Sequence, residues 1–200
     1  MQSCKKSKRI IIGLHGWTGN FASLQTISKL WNLPMTKWIY LQGPYKAEAG
    51  GYSWFHGNDK DGWKYKKSFK MLKNTIQELI TNGYHHKQIY LLGFSQGACL
   101  TMEFLIRQPF SIGGIIPIAG FIKYKSRFKQ DRDILSQNTS VLLLHGDKDN
   151  IIGPEESKIA YNLFKDSGYN TNLHILPAKH KIPQQAKKLI QKNLYKNSMA

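Results

Sequence analysis

Cysteine is nearly absent from this 200-residue chain, which carries Cys4 and Cys99 alone. Their spacing fits no metal-ligand pattern, and two cysteines do not make a disulfide framework, so the usage points to a reducing cytoplasm. Long apolar runs are missing too. None approaches the roughly 20 residues that cross a bilayer. The run Ile10-Ile11-Ile12 follows Lys5, Lys6, Lys8 and Arg9, but Gly13 and His15-Gly16 interrupt it, which leaves it too short for a signal-peptide core. Arginine is scarce, four against 25 lysines, although the net charge is +17. Readers of phosphate and base edges favour arginine's planar fork and gather their basic residues, whereas these lysines are strewn from Lys5 to Lys196. The charge therefore reads as a bias of composition. It excludes nucleic-acid binding as the main function and leaves a weak, salt-screened association with anionic membrane surfaces or substrates.

What is present is an ordinary globular composition, 41% hydrophobic and 12% aromatic, which rules out a disordered chain. The length suits one domain over residues 1–200, with residues 1–8 as a flexible basic N-terminus. No repeat or linker interrupts it. Six apolar, β-branched runs (residues 9–14, 37–41, 88–93, 113–118, 140–144 and 172–176) alternate with helical patterns at 21–31, 63–82, 96–108, 154–167 and 183–194. In the longest of these, Tyr65, Phe69, Leu72, Ile76, Leu79 and Ile80 form one stripe, and Gly83 supplies a stop. The expected fold class is α/β, a six-stranded parallel sheet with helices on both faces. Pro117 is awkward inside a strand, so the fourth run is expected to end near Ile116 or to carry a bulge.

The chemistry-bearing residues sit where strands give way to helices. Gly93-Phe94-Ser95-Gln96-Gly97 joins a buried run to a helix, and a Gly-x-Ser-x-Gly at such a junction lifts one serine hydroxyl above the sheet edge. Alone, the pentapeptide could be a glycine-rich turn with a solvated serine. Other loops at the same edge argue otherwise. The first strand ends in His15-Gly16-Trp17, where the Trp17 N–H, together with that of Gln96, can face an oxyanion; His15 itself reads as structural. The fifth ends in His145-Gly146-Asp147-Lys148-Asp149, offering two acids. Asp149, further out and followed by Ile151-Ile152, is favoured, and Asp147 reads as a turn cap. The last strand delivers His180, completing the chain order Ser, Asp, His. Residues 43–62 form a long loop whose Trp54 and Phe55 read either as a substrate-binding wall or as a satellite core cluster.

With these residues assembled, the chain resembles the phospholipase/carboxylesterase family of α/β-hydrolases, which includes acyl-protein thioesterases and small bacterial esterases. The likeness runs nearly end to end, through Leu14-His15-Gly16, Gly51-Tyr52-Ser53-Trp54-Phe55, Gly93-Phe94-Ser95-Gln96-Gly97-Ala98, His145-Gly146-Asp147-Lys148-Asp149 and His180. It implies Ser95, Asp149 and His180 as catalytic triad, Trp17 and Gln96 as oxyanion-hole donors, and a sheet with the first strand in the middle, lacking the two N-terminal strands of fuller hydrolases. It implies an esterase or thioesterase acting on a small-molecule or lipid acyl ester without metal or organic cofactor; lysophospholipase or acyl-protein thioesterase specificity is the near alternative, and a catalytically silent acyl-ligand-binding protein the distant one. Three departures stand out: Ala178-Lys179 before His180 where the family has glycines, Gly153 ahead of Pro154, and the bulk of Trp17.

Overall fold

The computed structural model describes residues 7–196. Six strands, β1 (Arg9–Leu14), β2 (Thr36–Leu41), β3 (Ile89–Phe94), β4 (Gly114–Ile118), β5 (Ser140–Gly146) and β6 (Thr171–Leu176), form one sheet in the spatial order β6-β5-β4-β3-β1-β2. Every pairing is parallel. Helices α1 (Gln25–Trp31), α2 (Lys66–Thr81), α3 (Gln96–Ile106) and α4 (Glu155–Asp166) lie in the crossovers and α5 (Ala186–Lys196) follows β6. The first strand is interior, between β3 and β2, but stands one place from the β2 edge rather than in the middle.

Successive strand side chains point to opposite faces, so the near-continuous apolar runs build two cores. Ile10, Ile12, Leu91, Ile115 and Leu143 pack under α2, α3 and α4, while Ile11, Leu92, Ile116 and Leu144 pack under α1 and α5. Helix α3 is buried from Gly97 to Ile106, apolar nearly all round because it is covered on every side.

Several boundaries differ from the sequence reading. The helix expected from residue 21 opens as a 3₁₀ turn, Phe21–Leu24, because the Asn20 side chain accepts the Ala22 N–H (2.8 Å). Helix α2 starts at Lys66, since Gly62–Lys64 is engaged in a two-stranded ribbon with His56–Asn58. It stops as expected at Gly83, whose φ of +78° lets the Gly83 N–H reach Ile80 C=O (2.9 Å) and the Tyr84 N–H reach Leu79 C=O (3.0 Å). Pro117 neither ends β4 nor bulges it: the ladder to β3 continues through Gly93↔Pro117 and Phe94↔Ile118, and only the β5 side skips residues 116 and 117, where proline has no N–H to give. At the N-terminus the Lys8 N–H already donates to Met35 C=O (3.0 Å); residues 1–6 of the expected flexible arm lie outside the described residues.

Between β4 and β5 the chain runs through short helical turns held by one buried acid. Glu103 of α3 accepts the Lys123 and Tyr124 N–H groups (2.7 and 2.9 Å) and pairs with Arg107 (2.5 Å), which also grips Asp131. Breaking a buried ion pair from one side is costly, so Glu103→Ala should lower unfolding stability by about 3–5 kcal/mol. Urea denaturation with an unchanged slope is the measurement; a loss under about 1 kcal/mol would show that the network is dispensable.

Candidate active site

Ser95 occupies the junction of β3 and α3 with φ +54° and ψ −115°, a conformation that side chains other than glycine rarely adopt. Two close approaches make it obligatory. A Cβ on Gly93 would stand 2.3 Å from the Gly97 carbonyl oxygen, and one on Gly97 would stand 2.3 Å from that of Leu14. The Ser95 N–H donates to Ile118 C=O (2.9 Å), tying the elbow to the end of β4, and its carbonyl accepts the Cys99 N–H (3.0 Å). Cys99 lies buried beneath it; burial, with the Glu103 charge adding, pushes its thiol well above the ordinary range.

The loop after β6 brings His180 to this hydroxyl. His180 Nε2 lies 3.0 Å from Ser95 Oγ, and its Nδ1 lies 2.7 Å from Asp149 Oδ2, so serine, imidazole and carboxylate form one hydrogen-bonded series. The Phe94 ring packs on the imidazole at 5.0 Å. Asp149 is buried, and burial alone would push its carboxyl up. The Ile152 N–H, His180 and the Ile151 N–H overcome that, the two amides meeting Oδ1 at 3.0 Å each, and the net effect holds it below the usual carboxylate range. Asp147 is exposed and points elsewhere, accepting the Ala178 N–H (3.1 Å), so it straps the acid loop to the histidine loop as a cap.

Two further groups were not singled out from sequence. His145 Nε2 faces both Ile152 C=O (2.8 Å) and Asp149 Oδ2 (3.3 Å), and an imidazole nitrogen between two acceptors must carry the proton; Nδ1 then accepts from the Ser157 hydroxyl (2.6 Å). This buried histidine backs the carboxylate. The Gln96 side chain is the other: Oε1 accepts the Trp54 N–H (2.8 Å) and meets the Ser53 hydroxyl (3.1 Å), fastening the long loop to the elbow. Nothing in a one-dimensional pattern marks a side chain for such a long-range partner.

His15 is structural, as its position implied. It is buried, its Nδ1–H donates to Gly16 C=O (2.6 Å), Nε2 accepts the Gly43 N–H (2.9 Å), and burial lowers its pKa, keeping the ring neutral. Trp54 departs from its expected substrate-binding place: it is 0% exposed, stacks against His15 and donates its indole N–H to His15 C=O (2.8 Å). Phe55 does line a cavity of about 370 Å³ beside the elbow, together with Trp17, Ser53 and Gln96. Gly16 lies against the nucleophile, a Cβ there falling 3.5 Å from Ser95 Cβ, so the backbone leading into Trp17 runs past the hydroxyl. Among the described residues no cluster of three or more His, Cys, Asp or Glu is arranged to hold a metal ion, and no helix is long and apolar enough to cross a membrane.

A strained serine at a strand–helix elbow, reached by a histidine and a buried acid from later loops at one edge of a parallel sheet, defines the α/β-hydrolase fold. The chain belongs to the phospholipase/carboxylesterase family, a family of ester hydrolases whose model matches residues 1–198. It is 36% identical to acyl-protein thioesterase 1 of Kluyveromyces lactis over 113 residues, 52% of this chain and 48% of that protein, so the match spans about half of that relative's length. It is 28% identical to acyl-protein thioesterase 1 of Debaryomyces hansenii over 200 residues, covering 88% of this chain and 84% of that protein. The crystal structure of Arabidopsis thaliana SOBER1 superposes with a TM-score of 0.84 at 20% identity, over 95% of this chain and 99% of that one.

The depressed Asp149 carboxyl has a stability consequence. A folded-state pKa below the unfolded value contributes stability that is present at neutral pH and lost as pH falls through the folded pKa. As pH falls below about 4, from the unfolded carboxyl's value toward the lower folded one, the stability gap between wild type and Asp149→Asn should therefore narrow. Urea midpoints across that range measure it, and a pH-independent gap would refute the stabilised carboxylate.

Proposed function

We infer that this chain is a single-domain serine hydrolase that cleaves carboxylic esters or thioesters through an acyl-enzyme. The observation that carries the reading is the unbroken series Ser95 Oγ–His180–Asp149 at 3.0 and 2.7 Å. His180 Nε2 takes the hydroxyl proton as Ser95 Oγ attacks the acyl carbon. Asp149, fixed by two backbone amides, receives the Nδ1–H, holds the required tautomer and stabilises the imidazolium. The negative charge that develops on the acyl oxygen is met by the N–H groups of Trp17 and of Gln96, the latter at the start of α3 where the helix dipole adds to it. His180 then protonates the leaving group, and water, activated by the same nitrogen, releases the acid. None of these steps calls for a metal or an organic cofactor.

Phe55 and the cavity beside Gln96 are the supported place for the substrate, with Trp54 as the strut behind. A volume of about 370 Å³ suits a small or medium acyl group. The names of the relatives favour acylated protein or a small carboxylic ester as substrate, cytoplasmic residence is consistent with the paucity of cysteine, and the lysine excess supports no more than weak attraction to anionic membranes. A silent binding protein would gain nothing from the strain stored at Ser95.

Two sets of variants test the assignment. Ser95→Ala should fold normally, escape labelling by a fluorophosphonate and lose at least roughly a thousandfold in esterase kcat; retention of most activity would sink the reading. Asp149→Asn should cost kcat by orders of magnitude through the wrong imidazole tautomer. Asp147→Asn, by contrast, should cost about 1 kcal/mol of stability and little kcat, and the reverse ranking would move the acid to Asp147.

A further inference from the structure

Lysines of the long loop and of the adjoining start of α2 meet at one place. Lys46, Lys64, Lys66 and Lys67 line a single groove of about 860 Å³, formed where the two short ribbons of residues 45–64 meet the start of α2. All four are exposed. The lysines that have a carboxylate within 4.0 Å among the described residues are Lys123, Lys125 and Lys158, so none of the groove lysines is neutralised by an ion pair. Four unpaired cations around one concavity repel each other and raise its potential, an arrangement that an anion relieves. The first turn of α2 compounds the field: it carries Lys66 and Lys67 where helices favour acids, and has no side-chain cap.

The walls are aromatic and fixed. Tyr45 stacks on His56 at 5.8 Å and 19°, with the Lys67 ammonium 5.8 Å over the Tyr45 ring. Trp63 is clamped by Asp59, which accepts its indole N–H at 2.6 Å, and by Lys123, whose ammonium lies 3.8 Å over its ring. Asp59 is thereby engaged with the indole N–H and, at 3.9 Å, with Lys123. Lys46, His56 and Trp63 also line the smaller cavity that holds Phe55 and Gln96, so the groove and the space beside Ser95 share a wall.

We propose that this groove binds an anionic group, a phosphate, sulfonate or carboxylate, carried by the substrate whose ester lies at Ser95; the substrate class is then an anionic ester or thioester rather than a neutral one. This rests on the esterase reading above. A substrate reaching across these two adjoining spaces presents its acyl carbon to the nucleophile and its charge to the lysines, with the aromatic walls covering the apolar segment between. These lysines border a hollow that an anionic group can enter, rather than a broad basic face.

The test uses two readouts. Phenyl phosphate is titrated into Ser95→Ala by calorimetry, with and without Lys64→Gln/Lys67→Gln; saturable one-site binding, weakened at least about tenfold by the double substitution and by raising salt, is expected. Kinetics then compare p-nitrophenyl butyrate with mono-p-nitrophenyl glutarate, charged on the acyl side, and 4-butyryloxybenzenesulfonate, charged on the leaving group. The double substitution should lower kcat/KM for one of the charged esters at least about fivefold more than for the neutral ester, and the ester affected identifies the side that enters the groove. Absence of saturable phenyl phosphate binding, or equal losses on all three esters, overturns the proposal. Unchanged ester ratios combined with lost binding to phosphatidylglycerol vesicles overturn it in favour of a lipid surface. Failure of the wild type to cleave any of the three esters while phenyl phosphate still binds would sink the esterase reading and leave the anion site standing.

Discussion

The structure turns on a contact with no room for a side chain. The start of α3 presses against the ends of β1 and β3 so closely that Gly97 meets the carbonyls of Leu14 and His15, and Gly93 meets that of Gly97. This approach forces the backbone of Ser95 out of its relaxed region and sets its hydroxyl above the sheet. It also fixes the start of α3 at Gln96. The two apolar cores, one on each face of the sheet, supply the packing that sustains the strain.

Around this point the other functional groups arrive on loops that are tied to one another rather than merely placed. Asp147 bonds the backbone of the histidine loop, Gln96 bonds the backbone of the long loop, and Trp54 bonds the backbone of the first loop. Each tie uses a polar side chain to satisfy a main-chain group that would otherwise be stranded near the core. Four loops from distant parts of the chain thus behave as one rim.

Much of this was legible in the sequence. The alternation of apolar runs and amphipathic stretches located all six strands within a residue or two, because parallel strands buried on both faces leave an unbroken hydrophobic signal. The elbow glycines, the two acids and His180 were found because their chemistry demands particular places at strand ends. Pro117 misled, since a lost N–H on one side of a strand does not disturb the ladder on the other. Trp54 misled because aromatics beside a pocket and aromatics beneath it share one pattern, and burial alone separates them. The backing of Asp149 by His145, four residues earlier, depends on the turn after β5 folding the carboxylate back onto the ring, and the meeting of Lys46 with Lys64, Lys66 and Lys67 depends on the folding of two small ribbons; neither fold-back is marked in the sequence.

The thiol beneath the elbow gives the molecule an internal clock. Cys99 sits one helical turn below Ser95 inside a helix that is buried on all sides, with its ionisation suppressed. An alkylating reagent reaches it only when α3 lifts away from the sheet, so its modification rate measures how often the ground under the nucleophile opens. Serine-directed and thiol-directed reagents, used in parallel, therefore read two different properties a single turn apart: poised chemistry at the surface and local breathing of the core that holds it there.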